Sequence, residues 1–197
     1  MAERQASSGR VTWTLPNLLS LFRLLASPVL IALAGSGARG AFAVLLTCAL
    51  LSDALDGWIA RRWNLSSELG AKLDSLADNA TYVAAFTGIF AFEAEALAPY
   101  WPELAALIAC LALSTAAPIL KFGRPGSYHL YLFKFAAVVQ AVAILWLFYF
   151  GLSIALLYAA VGIGILACLE DIAATLLLKS PRSNLGSVFL LPGRAPE

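Results

Sequence analysis

Apolar runs of about 20 residues follow one another along most of this chain, and no other feature so narrows the folds open to it. A soluble core would break such runs with frequent polar positions, whereas here at least five pass with few interruptions. Of the 197 residues 61% are hydrophobic and 13% charged, with a mean hydropathy of +0.82, against about a quarter charged in ordinary soluble domains. The chain reads as an all-α integral membrane protein.

Taken in order, the runs predict six transmembrane helices in one domain over residues 15–179, between a short N-terminal segment (1–14) and a polar C-terminal tail (180–197). The first run, LLSLFRLLASPVLIALAG, imitates a signal peptide, but Arg23 and Pro28 interrupt it and it is long enough to span, so a retained helix is expected. A second span is expected from about Ala41 to Arg62 and a third from about Leu69 to Phe92. The acidic stretch EAEALAPYWPE, residues 93–103, reads as a loop before a fourth span that runs to about Leu120, its end bent by Pro118. A basic turn, KFGRPGSYHLYLFK (121–134), leads into a fifth span over 131–150, and a tight turn at Gly151 into a sixth that ends near Leu178. Trp146, Phe148, Tyr149 and Phe150 read as an interfacial belt, and Gly88, Gly162 and Gly164 as points of close helix packing.

Lys and Arg fall on one side of this topology: Arg4 and Arg10, then Arg61, Arg62 and Lys72, then Lys121, Arg124 and Lys134, then Lys179, Arg182 and Arg194, with only Arg39 opposite. The positive-inside rule then puts both termini in the cytoplasm. Net charge is +1, which gives no footprint for nucleic acid. Cys48, Cys110 and Cys168 lack the paired spacing of a zinc or redox site and read as packing residues.

Against this background the stretch DALDGWIARRWNLSSELGAKLDSLAD, residues 53–78, is an energetic anomaly. An aspartate at the centre of a membrane helix costs about 2.5–3.5 kcal/mol on insertion scales, and this stretch carries Asp53, Asp56, Asp74 and Asp78 at the end of one span and the start of the next. Spacings of three and four place each pair on one face of its helix, so four carboxylates meet near one membrane face, the one that carries the basic residues. Two carboxylate pairs suit hard divalent cations, Mg²⁺ or Mn²⁺, in a binuclear site able to clamp a diphosphate; a single histidine and scattered cysteines do not suit zinc or copper. Between the pairs, Gly57 and Ala60 leave a small-residue strip, Arg61 is placed to meet phosphate, and Gly70 offers a second close approach. Ser66 and Ser67 either cap the next helix or bind ligand.

These residues fit DxxDGxxARx(8)GxxxDxxxD at every fixed position, a pattern that resembles the signature of the CDP-alcohol phosphotransferases. The resemblance implies a six-helix enzyme that transfers a substituted phosphate group from a CDP-alcohol, such as CDP-diacylglycerol, to the hydroxyl of a second alcohol, releasing CMP. It implies two divalent cations, Mg²⁺ or Mn²⁺, held by Asp53, Asp56, Asp74 and Asp78, with Asp78 also the general base. It further implies that Gly57, Ala60, Arg61, Ser67 and Gly70 line the site of the CDP moiety. A homodimer in a bacterial inner membrane, with the active site facing the cytoplasm, is the corresponding expectation.

PNLLSLFR (16–23) and ARRWN (60–64) resemble the phosphatidylglycerophosphate synthase branch, which makes glycerol 3-phosphate the first acceptor expected. The fourth and fifth spans depart from that branch's acidic and basic pattern, which keeps inositol phosphate, serine, another phosphatidyl lipid or an unusual headgroup alcohol as alternatives. Lys121, Arg124 and Lys134 either bind an acceptor phosphate or serve as positive-inside anchors, and His129 reads as an interfacial residue. Arg23, in the same segment as Asn17, either pairs with the acidic cluster or snorkels to the interface; Glu170 and Asp171 are either functional or paired with a base on another helix. From a different class, a divalent-metal transporter or a non-catalytic membrane partner would carry the same cluster without releasing CMP.

Overall fold

The structure, a computed structural model, describes residues 14–63, 68–123 and 130–178. Ser66, Ser67, Arg124, His129 and the two terminal segments therefore lie outside the described residues. The described chain is all-helical: α1 (Leu15–Gly35), α2 (Arg39–Trp63), α3 (Glu68–Leu97), a 3₁₀ turn (Ala98–Tyr100), α4 (Trp101–Phe122), α5 (Tyr131–Phe150) and α6 (Ile154–Leu177). Five stretches are long and apolar enough to cross a membrane: Leu15–Gly35, Arg39–Ile59, Lys72–Phe122, Tyr131–Phe150 and Ile154–Leu177. Large apolar side chains such as Leu25, Leu51, Leu120 and Phe150 point outward, as suits an integral membrane protein whose solvent is lipid.

The third stretch corrects the expectation of a loop over residues 93–103. Helix α3 continues to Leu97, the 3₁₀ turn follows, and α4 starts at Trp101. Glu93 is buried and its carboxylate meets Arg39 Nη2 at 2.7 Å, so the polar residue that suggested a loop is held inside a helix by a partner 54 residues away. Pro99 and Pro102 are the second residues of the 3₁₀ turn and of α4, within the first turn, where a missing N–H costs nothing.

The chain divides into two compact units, Met1–Ala94 and Glu95–Glu197. In the first, α1 buries Asn17, Ser20, Arg23, Ala26, Ser27, Leu30 and Ala34 at three- and four-residue spacing, and α2 answers with Phe42, Ala43, Leu46, Ala49, Ser52 and Asp56. α1 carries Pro16 in its first turn, which suits a helix start, and runs through Pro28 without ending. A turn whose Gly37 has φ 76° leads into α2. On α3, Ala77, Thr81, Ala84, Ala85 and Gly88 form the matching buried stripe. Gly88 is needed: a Cβ there would overlap the ring of Phe42, which also meets Phe92 edge-on with ring centres 5.5 Å apart.

In the second unit α6 packs against both α4 and α5. Its buried stripe is Ala160, Val161, Gly164, Ala167, Cys168, Ala174 and Thr175. A Cβ on Gly164 would lie 2.6 Å from Gln140 Nε2 and 2.7 Å from Leu107 Cδ1, so this glycine lets α4 and α5 approach together; a Cβ on Gly162, by contrast, would meet nothing within 4 Å among the described residues. Leu130, Ala174 and Leu178 form a small cluster with Phe122 and Phe133. Gly151 (φ 88°) makes the expected turn, after which Ser153 caps α6 by accepting from the Leu156 amide.

Candidate active site

The site belongs to the first unit and is built by α1, α2 and α3. The last turns of α2 carry Asp53 and Asp56, and the first turns of α3 carry Asp74 and Asp78. The two helices run in opposite directions, so the C-terminal end of one meets the N-terminal part of the other. All four carboxylates converge on Arg23 of α1. Its Nη1 donates to Asp53 and Asp78, and its Nη2 donates to Asp74 and, at 2.6 Å, to Asp56. Each terminal nitrogen thus bridges one carboxylate from α2 and one from α3.

Burial grades across the cluster. The Arg23 side chain is 1% exposed and Asp56 6%, while Asp53, Asp74 and Asp78 are 50%, 44% and 39% exposed. The guanidinium and Asp56 form the inner wall, and three carboxylates open outward, where a polar ligand can reach them. Ser20 Oγ donates to the Pro16 carbonyl at 3.2 Å and lies 3.4 Å from Asp56 Oδ2 and 3.5 Å from Asp74 Oδ1. Arg23 Nε is buried with no partner among the described residues.

Of the two readings left open for Arg23, the structure supports pairing with the cluster. Ser20 gave no signal when residues were considered singly. The signal that finds it is periodic: Asn17, Ser20, Arg23 and Ser27 form a polar stripe at helical spacing inside an apolar run, and all four are buried.

Carboxylate oxygens of Asp53, Asp56 and Asp74 lie within 4.8 Å of one another, close enough to share a cation. Asp78 joins them through the nitrogen it shares with Asp53. The donor set is all oxygen and anionic, which fits a hard divalent cation, and Arg23 already fills the cationic role in the structure.

The remaining predicted residues divide by place. Gly57, half-buried, directly follows Asp56 on α2; Ala60 and Arg61 lie on the last turn of that helix, and Gly70, half-buried, on the first turn of α3. Ser67 and Arg124 lie outside the described residues. In the second unit the Lys121 ammonium donates to the carbonyls of Thr175 (2.9 Å) and Leu176 (2.8 Å) at the end of α6, and Lys134 is exposed, its ammonium 6.0 Å from the centre of the Tyr131 ring. Glu170 and Asp171 are half-buried on α6, and the Asp171 carbonyl accepts from Thr175 Oγ1 at 3.0 Å. All three cysteines are free thiols, with Cys168 buried beside Ser114 and Cys110. Trp146, Tyr149 and Phe150 gather at the end of α5.

Comparison with known proteins bears on this geometry. The family described as CDP-alcohol phosphatidyltransferase matches residues 13–166. A cardiolipin synthase (CMP-forming) of Rattus norvegicus is 48% identical over 77 residues, covering 36% of this chain and 24% of the relative. A CDP-diacylglycerol–glycerol-3-phosphate 3-phosphatidyltransferase of Salmonella choleraesuis is 39% identical over 69 residues, covering 34% of this chain and 38% of the relative. A cardiolipin synthase (CMP-forming) of Streptomyces coelicolor is 34% identical over 111 residues, covering 53% of this chain and 50% of the relative. These matches span half or less of each relative's own length. No solved structure matches the chain.

Proposed function

This chain belongs to the CDP-alcohol phosphatidyltransferase family, and from that membership we propose that it transfers a phosphatidyl group from CDP-diacylglycerol to glycerol 3-phosphate, releasing CMP. The observation that carries the proposal is the convergence of Asp53, Asp56, Asp74 and Asp78 from two helices onto one cationic centre, inside the region that matches the family. Glycerol 3-phosphate is favoured by the relatives named for that acceptor. The relatives named cardiolipin synthase favour a second reading, in which a phosphatidyl lipid is the acceptor.

In this reading the four aspartates hold two divalent cations, Mg²⁺ or Mn²⁺. When bound, these cations neutralise charge on the diphosphate and make CMP a better leaving group. Gly57, Ala60 and Gly70 let the CDP moiety approach the backbone, Ser67 serves the same moiety, and Arg61 takes phosphate oxygens by its planar fork. Asp78 accepts the proton of the attacking hydroxyl; a carboxylate is a weak base, so holding acceptor and phosphorus together contributes more than basicity does. Lys134 and Arg124 receive the phosphate of the acceptor, together with the one ammonium proton of Lys121 that the α6 carbonyls leave over.

The Lys72–Phe122 stretch has 51 residues. As helix that is about 76 Å, against a hydrocarbon core of about 30 Å, so α3 and α4 are read as separate crossings and the chain as a six-span protein. The one-sided Lys and Arg distribution supports cytoplasmic termini and a cytoplasmic active site. A homodimer in a bacterial inner membrane completes the proposal.

The test is to give the purified protein CDP-diacylglycerol, Mg²⁺ or Mn²⁺ and a panel of alcohols that includes glycerol 3-phosphate and phosphatidylglycerol, and to identify the lipid product by mass. Phosphatidylglycerophosphate with equimolar CMP is the expected result. Cardiolipin would select the second reading, and metal flux into vesicles without CMP would replace the enzyme with a transporter.

A further inference from the structure

The two terminal nitrogens of Arg23 take up two bridging positions in the aspartate cluster: Nη1 between Asp53 and Asp78, Nη2 between Asp56 and Asp74. Divalent cations bound by the same carboxylates would need the same oxygens. We infer that Arg23 is the resident counter-ion of the cluster, displaced from the carboxylates when divalent cations bind, so that it sets metal affinity and makes the first ion ease the entry of the second. This rests on the metal centre proposed above and adds to it a competitor built into α1.

Two observations and one physical argument carry the inference. One guanidinium against four carboxylates leaves three negative charges unbalanced in a helix-lined site, so the pairing holds the carboxylates together without satisfying them. A divalent ion brings twice the charge to the same oxygens and therefore wins the exchange once it is present. The third is the Nε–H of Arg23, buried with no partner among the described residues in a side chain 1% exposed. The carboxylates do not use the whole fork, and a donor remains for an anion such as a phosphate oxygen. Displacement also accounts for the coupling between ions. The first cation must break the Arg23 pairings, and the second enters a cluster already released from them.

The experiment is Mn²⁺ binding to the purified full chain in detergent, with no lipid donor present, followed by the electron paramagnetic resonance signal of free Mn²⁺. Wild type is expected to bind with a Hill coefficient above one. Arg23→Met is expected to bind about tenfold or more tightly and without that cooperativity, because a positive charge in contact with the ligands has been removed. Equal or weaker binding by Arg23→Met overturns the inference while the metal centre stands; a merely structural role for Arg23 gives that result, with lowered thermal stability and no gain in affinity. Wild type that binds no Mn²⁺ overturns the metal centre itself.

Where Arg23→Met does not fold, wild type labelled with ¹⁵N-arginine decides the matter. The Arg23 Nε–H resonance, assigned by its loss in Arg23→Lys, should shift on Mg²⁺ titration as the guanidinium leaves the carboxylates. A resonance unmoved at saturating Mg²⁺ overturns the inference.

Discussion

The two units of this protein both carry polar side chains among apolar helices, but they use them differently. In the first, charged side chains meet other charged side chains: Arg23 with four aspartates, Arg39 with Glu93. In the second, Lys121 ends on the backbone carbonyls of Thr175 and Leu176 and Gln140 on that of Ala160, beside one side-chain pair, Tyr158 with Glu103. A carbonyl at a helix end is a fixed acceptor, so such a bond closes the structure and is finished. A carboxylate can exchange one cation for another, so the first unit keeps its polar groups available for chemistry.

The sharpest way to break this contrast is at Asp78. Asp78→Asn is expected to lower kcat by roughly 10²–10⁴, the range of a lost general base, while CDP-diacylglycerol binding is largely kept; CMP release and donor binding measured side by side check it. Full activity in Asp78→Asn would remove it from the chemistry. Packing should matter in both units but with different reach. Gly88→Val and Gly164→Val each force a side chain into occupied space and should cost about 1–3 kcal/mol in unfolding. Only Gly88→Val, which presses on Phe42 between α2 and α3, should also lower kcat per folded molecule.

A smaller effect is expected at Glu93→Gln. Loss of a wholly buried ion pair costs about 3–5 kcal/mol, but the Arg39 side chain is 42% exposed and can turn to water, so about 1–2 kcal/mol is expected, with kcat retained. Denaturation in detergent alongside an activity assay separates the two quantities. The smallest effects should come from the second unit. Lys121→Met should lose about 0.3–1 kcal/mol, the worth of a cation at a helix C-terminus, and raise KM for glycerol 3-phosphate slightly. Lys134→Met should raise that KM with no change in unfolding, because no helix end depends on it.

What could be read in advance follows the same division. The four aspartates were legible because a charge in an apolar run is costly wherever it lies, and their spacing on two successive helices was enough to bring them together. Arg23 was legible only as a pair of alternatives, since nothing local distinguishes an arginine that turns inward from one that reaches the interface. The stretch 93–103 was misread for a related reason. Its acidic composition looked like a loop because the partner that buries Glu93 lies at Arg39, beyond the reach of any local pattern. Gly88 and Gly162 show the limit in apolar packing: both are small residues in apolar helices, yet only the first has a ring pressed against it.

The Arg39–Glu93 pair also has a mechanical meaning. Arg39 and Asp53 stand 14 residues apart on α2, about 21 Å of helix, and at each end an arginine ties α2 to α3. A rod fastened to its neighbour at two points can neither slide nor roll along it. The Phe42 ring against Gly88 and Phe92 holds the same two helices as well, so the loosening of one fastening leaves the rod in place. The carboxylates can therefore exchange partners while the helices that carry them keep their register.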